Sequence, residues 1–280
     1  MTSANRAPLP SLAMPDLGGP LRLRTGIFWS LYGVWYRHVR VYSKMLLANA
    51  TPPVLEPLFF FTAVALGLGS YIPAGGFDGL PYGTYVAAGV AVSSAMWTGV
   101  FETTYSTFVR LVYQRTYDAM LGTHLRPDEI FVGEMLFSAT KGAVFTTVVL
   151  LVTLLFGVRP TWWCLLLPVL GFVTAYLWAA IGLIVTSFVK MIPNFSFFTT
   201  GVITPVFFFS GTFFPVLGQY GSIVDGIATL VPLTPSIELA RALFKGHFSV
   251  WNLLHVAVLA VYLAVCHVLA LRRMRRRLLG

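Results

Sequence analysis

Long runs of residues almost free of charge recur along this chain, and they constrain its fold more than any other feature. A helix rises about 1.5 Å per residue, so about twenty apolar residues cross a hydrocarbon core of about 30 Å. Six stretches qualify: 52–72, 83–108, 132–157, 162–188, 195–217 and 251–271. Only 10% of the residues are charged and 57% are hydrophobic, against about 25% charged in an ordinary soluble domain. Such a chain cannot cover a surface facing water, and lipid is the solvent for most of it. The fold class is all-α integral membrane, with six transmembrane helices per subunit.

A net charge of +9 would suit nucleic acid if the cations formed a patch. They flank the apolar runs instead and act as topology signals, which excludes a nucleic-acid partner. Six spans leave both termini on one side of the membrane. That side carries Arg6, Arg22, Arg24, Arg37, Arg40, Lys44, Arg110, Arg115, Arg126, Lys190, Arg272, Arg273, Arg275, Arg276 and Arg277. The other carries only Arg159, Arg241 and Lys245, while Lys141 lies inside a span. The excess marks the cytoplasmic face of a bacterial inner membrane, so a multi-pass protein with both termini cytoplasmic is expected.

Residues 1–24, rich in Pro, Ser, Ala and Gly, are expected to be a flexible cytoplasmic tail, and they lack the pattern of a cleavable signal peptide. Residues 272–280 form a basic cytoplasmic tail. Cys164 and Cys266 lie in apolar runs near opposite faces, too far apart for a disulfide, and serve as packing residues.

Three segments outside the spans carry pattern. Within 25–49, Arg37, Arg40 and Lys44 share one helical face, while Ile27, Leu31, Trp35, Tyr42, Met45 and Leu46 fall across from it. This predicts a helix lying in the membrane interface. The connection at 110–131 includes QRTYDAMLGTHLRPDE, which predicts a short helix broken at Gly122 and stopped by Pro127. The segment 214–250 is too apolar for a solvated loop and too often interrupted by Pro and Gly for a span. Short helices dipping into the outer leaflet fit it, with protein shielding their broken backbone.

No GxxxxGK[ST] segment exists, so the chain holds no P-loop, and HExxH and GxSxG are also absent. His38, His124, His247, His255 and His267 are scattered without metal-ligand spacing. No catalytic or metal site is expected. The chemistry that remains is the set of ionisable residues inside spans, each costing about 2.5 to 3.5 kcal/mol at mid-membrane: Glu56, Glu102, Glu134 and Lys141. Glu134 and Lys141 share a helix face, and Glu102 on the preceding span can reach Lys141. Two roles stay open for the cluster, lining a substrate path and tying the second and third spans together. Glu56 and Glu134 are placed near the cytoplasmic interface, where water relieves their cost. The fifth span, NFSFFTTGVITPVFFFSGTFFPVL, is rich in Phe, and Pro205 should kink it. Trp97, Phe207, Phe208, Phe209 and Phe213 are candidates for an aromatic wall along the path.

With these motifs in place, the chain resembles the permease subunits of ABC-2 type exporters, most closely the NodJ type associated with lipo-oligosaccharide export. The resemblance runs from about residue 25 onward. It is carried best by FETTYSTFVRLVYQRTYDAMLGTHLRPDEIFVGEMLFSATKG at 101–142, VITPVFFFSGTFFP at 202–215 and PLTPSIELARALFKG at 232–246. Pro235 departs from it, standing where a His is expected. The resemblance implies a homodimer of six-helix subunits, with ATP and Mg held by two copies of a separate ABC ATPase and no cofactor in this chain. It makes 25–271 one ABC-2 transmembrane domain of type V exporter fold, with 25–49 as its elbow helix and 112–126 as a coupling helix. Gln114, Arg115, Tyr117, Asp118, Met120 and Leu121 then contact the ATPase. It also makes 214–250 a pair of re-entrant helices at the outer end, whose Asp225, Glu238, Arg241 and Lys245 either bind polar headgroups or cap helices.

The function implied is outward export of an amphipathic glycan, glycolipid or lipid-like molecule. Drug efflux by a permease of the same class stays open. So does a secondary transporter driven by protons through Glu102, Glu134 and Lys141, although inverted internal repeats would normally accompany one. An embedded lipid-modifying enzyme would need a catalytic constellation that the sequence lacks.

Overall fold

A computed structural model of the protein describes residues 26–44, 51, 55, 59–63, 67, 76–215, 221, 226 and 228–279. Among them eight helical elements follow in order. They are α1 (Ile27–Ser43), α2 (Tyr82–Tyr113), α3 (Thr116–Leu121), α4 (Pro127–Leu155), α5 (Trp162–Phe188), α6 (Ile192–Phe209), α7 (Thr234–Lys245) and α8 (Val250–Leu279). Five of these, α2, α4, α5, α6 and α8, are long and apolar enough to cross a membrane. The expected first span at 52–72 falls largely outside the described residues, though 59–63 are helical. There Phe61 packs against Phe156 and Phe60 against Phe213.

The core is a three-helix unit of α2, α4 and α5, and small residues make it possible. Lipid gives apolar side chains no reason to prefer one another, so membrane helices associate through close packing and interhelical hydrogen bonds. A methyl group on Gly99 would stand 2.6 Å from the Ala175 carbonyl oxygen, and one on Gly182 2.2 Å from Thr103 Oγ1. Both glycines bring α2 and α5 to backbone contact. Thr146 then donates to the Ala91 carbonyl at 3.1 Å, and Thr186 to that of Thr103 at 2.7 Å. α2 is the most enclosed span, whereas α6 buries only Phe195 and Ile203.

Several boundaries differ from expectation. Pro127 does not stop the short helix before it; it opens α4, where its missing N–H costs nothing. Glu129 returns its carboxylate to the Arg126 N–H at 3.0 Å. α6 ends at Phe209 and not near 217, and a wide turn at Thr199–Ile203 precedes Pro205, relieving the clash of its ring with the preceding turn. Residues 272–279 are no free tail but the last turns of α8. Their Met274 is fully buried, and the Arg273 and Arg277 guanidinium groups cover the rings of Phe188 and Phe108. Both cysteines are free and buried, as expected.

α1 lies against α4. Ser30, Val34 and His38, four residues apart, are the ones buried, while Ile27, Phe28, Trp29, Tyr32 and Tyr36 stay exposed. Trp35 still anchors the helix, donating to Thr140 Oγ1 at 3.1 Å. Gly133 decides the face, because a Cβ there would stand 2.6 Å from Val34 Cγ1. Gly133→Val should therefore push α1 off α4 at a cost of about 1–3 kcal/mol, read as a lower melting temperature of the detergent-solubilised chain, with Gly26→Val, in open space, as the neutral control.

Candidate functional site

α2 does not run as a plain α-helix to its end. Its turns widen at Glu102–Ser106 and again at Val109–Tyr113, an irregularity common at functional sites. The wide turns bring Glu102, Thr107 and Arg110 to one side, facing α4. There Arg110 holds two carboxylates at once: its Nη2 lies 3.1 Å from Glu102 Oε1 and its Nε 3.2 Å from Glu134 Oε1. A planar fork with five donors suits such sharing in a way an ammonium does not.

Each carboxylate has further partners. Lys141 Nζ donates to the second oxygen of Glu102 at 3.1 Å. Glu134 accepts from the hydroxyls of Thr107 and Tyr117, and His38 Nε2 stands 3.3 Å from it. The other ring nitrogen of His38 meets Arg110 Nη1 at 3.3 Å. A guanidinium only donates, so Nδ1 must accept and the ring proton sits on Nε2, toward Glu134. Burial and the Glu134 charge push the Tyr117 phenol well above its ordinary pKa. It stays a hydroxyl donor through neutral pH.

The network thus ties α1, α2, α3 and α4 together. Sequence reasoning found Glu102, Glu134 and Lys141 and the Glu102–Lys141 pair, but Glu134 reaches that pair through Arg110 and not through Lys141. Nor does water relieve Glu134, which is 1% exposed. Arg110, His38 and Thr107 were missed. The available signal was the Glu102 to Arg110 spacing inside one continuous helix, masked by counting Arg110 as a topology cation. Glu56 lies outside the described residues.

Beside the network opens a cavity of about 590 Å³. Its lining includes the aromatic residues Phe60, Trp97, Phe101, Phe207 and Phe208. Trp97 and Phe101 stack nearly parallel, centroids 5.3 Å apart. Polar residues lie among them: Ser93, Ser94, Thr98, Ser106, Thr204 and the Glu102–Lys141 pair. The hydroxyls of Ser94 and Thr98 donate to carbonyls of their own helix, while that of Ser93 is buried with no partner among the described residues. Of the expected path residues, Trp97, Glu102, Lys141, Phe207 and Phe208 meet here. Phe213 does not line the cavity but packs on Phe60, Phe207 and Phe208 beside it. Phe209 points away, 72% exposed.

The end of the molecule opposite α3 is locked. The Gly211 carbonyl accepts from Tyr85 at 3.2 Å and from the Arg241 guanidinium of α7. Arg241 lies 3% exposed, paired with Glu238 and 3.6 Å above the Tyr85 ring. The headgroup role expected of Arg241 does not hold, since the guanidinium is spent on the lock. Lys245 pairs with Asp78 in the turn before α2. Asp225 lies outside the described residues.

α3 is a single short helix, entered through Arg115 in the left-handed region (φ 47°) and ended at Gly122. Gln114, Arg115 and Asp118 are exposed and Leu121 is half-buried. Tyr117 and Met120 face inward. They correct the expected contact set, because a docked partner would not meet those two side chains.

Helices long and apolar enough to cross a membrane, around a cavity lined by aromatic and polar residues that is locked at one end and tied to a short exposed helix at the other, define a multi-pass transport protein. The chain belongs to the ABC-2 type transporter family, which matches residues 31–245. It is a membrane permease, the transporter's membrane subunit. It is 36% identical to Nodulation protein J of Rhizobium leguminosarum bv. viciae, across 91% of this chain and 96% of that one. It is 34% identical to Nodulation protein J of Rhizobium meliloti (strain 1021), across 90% and 95%. The Inner membrane transport permease YadH of Escherichia coli (strain K12) is 22% identical, across 87% and 94%.

Arg110→Ala should leave two buried carboxylates short of their shared cation and cost about 3–5 kcal/mol. Arg110→Ala with Glu134→Gln should recover part of that loss, measured as melting temperature and monodispersity of the purified chain.

Proposed function

We propose that this chain is the permease half of an ATP-driven exporter that moves an amphipathic glycan, glycolipid or lipid-like molecule outward across a bacterial inner membrane. Two copies form a homodimer, with both termini in the cytoplasm. Two copies of a separate ABC ATPase bind ATP and Mg. One observation carries the reading: the cavity lined by both aromatic and hydroxyl-bearing residues is joined to α3 by an unbroken chain of polar contacts, Lys141–Glu102–Arg110–Glu134–Tyr117.

Such a chain of contacts turns docking into motion. Gln114, Arg115, Asp118 and Leu121 form the face that meets the ATPase. ATP binding draws the two ATPase copies together and displaces α3, and Tyr117 cannot move without pulling on Glu134 of α4. Arg110 passes the displacement to Glu102, which lines the cavity. Packed helices respond to such a shift as rigid bodies, not by continuous bending. The cavity walls suit both halves of an amphiphile. Sugar rings pack on the Trp97–Phe101 pair and find hydroxyls at Ser93, Ser106 and Thr204, while an acyl chain follows Phe208 toward lipid. The uncovered surface of α6 suits a second copy of the chain, so that the path runs between protomers. On this topology the Arg241 lock sits at the outer end and holds the cavity shut toward the outside.

Purified chain and ATPase, reconstituted together in liposomes, test the scheme. Arg115→Asn with Asp118→Ala should abolish stimulation of ATPase activity by the permease. The melting temperature should hold, since exposed substitutions of this kind stay within about 0.5 kcal/mol. Trp97→Ala should lower export of a glycolipid severalfold without touching ATPase docking. Export by the permease alone under an ion gradient, or coupled export that survives the double substitution, would overturn the reading.

A further inference from the structure

A second cleft, of about 350 Å³, opens between α1 and the end of α2. It is lined by Arg37, His38 and Val41 of α1 and by Tyr105, Ser106 and Arg110 of α2, with Gln114 just beyond. Among the described residues no carboxylate lines it. Arg110 is held by Glu102 and Glu134 behind the wall, whose charges are balanced by Arg110 and Lys141 together. Arg37 is different. It is half-buried, and no carboxylate lies within ion-pair distance of it among the described residues. A half-buried guanidinium beside a hydroxyl and an amide, with no acid to balance it among those residues, suits an anion from outside the chain.

The neighbourhood says which kind. Phe28, Trp29, Tyr32 and Tyr36 of α1 are all exposed. Aromatic side chains of this amphipathic type settle at headgroup depth, so Arg37, on the turn that follows Tyr36, sits at the level of lipid phosphates. Ser106 lines both this cleft and the large cavity. An amphiphile held here by its phosphate therefore lies at the mouth of that cavity.

We propose that this cleft is a binding site for the phosphate of an anionic phospholipid headgroup, with the Arg37 guanidinium as its principal ligand and Ser106 and Gln114 as supporting donors. Bound there, the lipid bridges α1 to α2 at the point where the ionic network surfaces. It thereby adds a third group to the His38–Arg110 contact that ties those two helices. Ser106 and Gln114 also enter the export scheme, but the principal ligand, Arg37, does not, so the failure of the lipid site and the failure of that scheme are separately readable.

The test titrates short-chain phosphatidylglycerol, phosphatidylcholine and inorganic phosphate into the detergent-solubilised full chain and counts adducts by native mass spectrometry. Phosphatidylglycerol should bind at least about tenfold more tightly than phosphatidylcholine. Arg37→Gln should weaken it about tenfold, the loss of one charge-assisted contact. Arg37→Lys should retain most of the binding. Arg40→Gln removes the same charge from an exposed position one turn on, and should leave binding intact. Equal weakening in Arg37→Gln and Arg40→Gln would reduce the effect to diffuse attraction of a basic helix and overturn the proposal. So would equal binding of the two lipids by the unaltered chain, which holds even if Arg37→Gln fails to fold. Inorganic phosphate binding as tightly as phosphatidylglycerol would assign the cleft to a soluble anion and overturn the lipid assignment.

Discussion

The bridge that Arg110 makes between Glu102 and Glu134 is the constraint on which the rest of the molecule turns. Two carboxylates inside a helix bundle would each cost several kcal/mol if left alone. One guanidinium, reaching both from the wide turns of α2, makes them tolerable. The arrangement fixes the rotation of α2 against α4, because a rotation of even one residue takes Arg110 away from Glu134. It also fixes what can surround it. Tyr117 must come in from α3 and His38 from α1 to complete the hydrogen bonding of Glu134, so the interfacial helix and the short exposed helix take their places around the same carboxylate.

Glycine and threonine do at the centre what charge does at the basic end. Gly99 and Gly182 let α2 and α5 touch, Thr186 hydrogen-bonds across that contact, and Thr146 ties α4 to α2 in the same way. A bundle packed this closely moves in units. At the far end a different device applies: Gly211 offers one carbonyl to both Tyr85 and Arg241, which pins the turn after α6 to α2 and α7 together. The cavity lies between a rigid lock and a polar linkage, and the aromatic cluster around Phe213 fills the space next to it.

Much of this was legible in the sequence because lipid makes strong demands. Charge-free runs located α2, α4, α5, α6 and α8 to within a few residues at most ends, and the Glu102–Lys141 pair followed from the scarcity of charge inside them. The errors share a physical cause, which is that one residue type serves two purposes. Arg110 and Arg241 count as flanking cations by position, yet both are largely withdrawn from water and hold structure together. Arg272–Arg277 look like a soluble tail by composition, yet α8 continues through them and the guanidinium groups of Arg273 and Arg277 lie over Phe188 and Phe108. On α1, apolarity marked the face of Ile27 and Leu31 as the one that meets the membrane interface, but it could not name the face that packs on protein, because that is set by the gap Gly133 leaves for Val34. Shape on the partner helix decides such a contact where the alternative to burial is lipid and not water.

An ionic linkage is an odd choice for stability alone, since well-packed apolar residues often do as well as a buried ion pair or better. What charges offer instead is discreteness. An apolar interface between α3 and α4 could slide by fractions of an ångström and dissipate a displacement of α3 along the way. A hydroxyl donating to Glu134, itself forked to Arg110, tolerates little sliding before the contact is lost outright, and losing it strands a buried charge. In the proposed cycle the helices must then move together or exchange one complete set of partners for another. Lys141, placed over the Tyr42 ring and bonded to Glu102, gives the cavity end of the linkage the same property. In that proposed cycle, the feature that costs this bundle most to bury is the one that carries an event at α3 to the cavity.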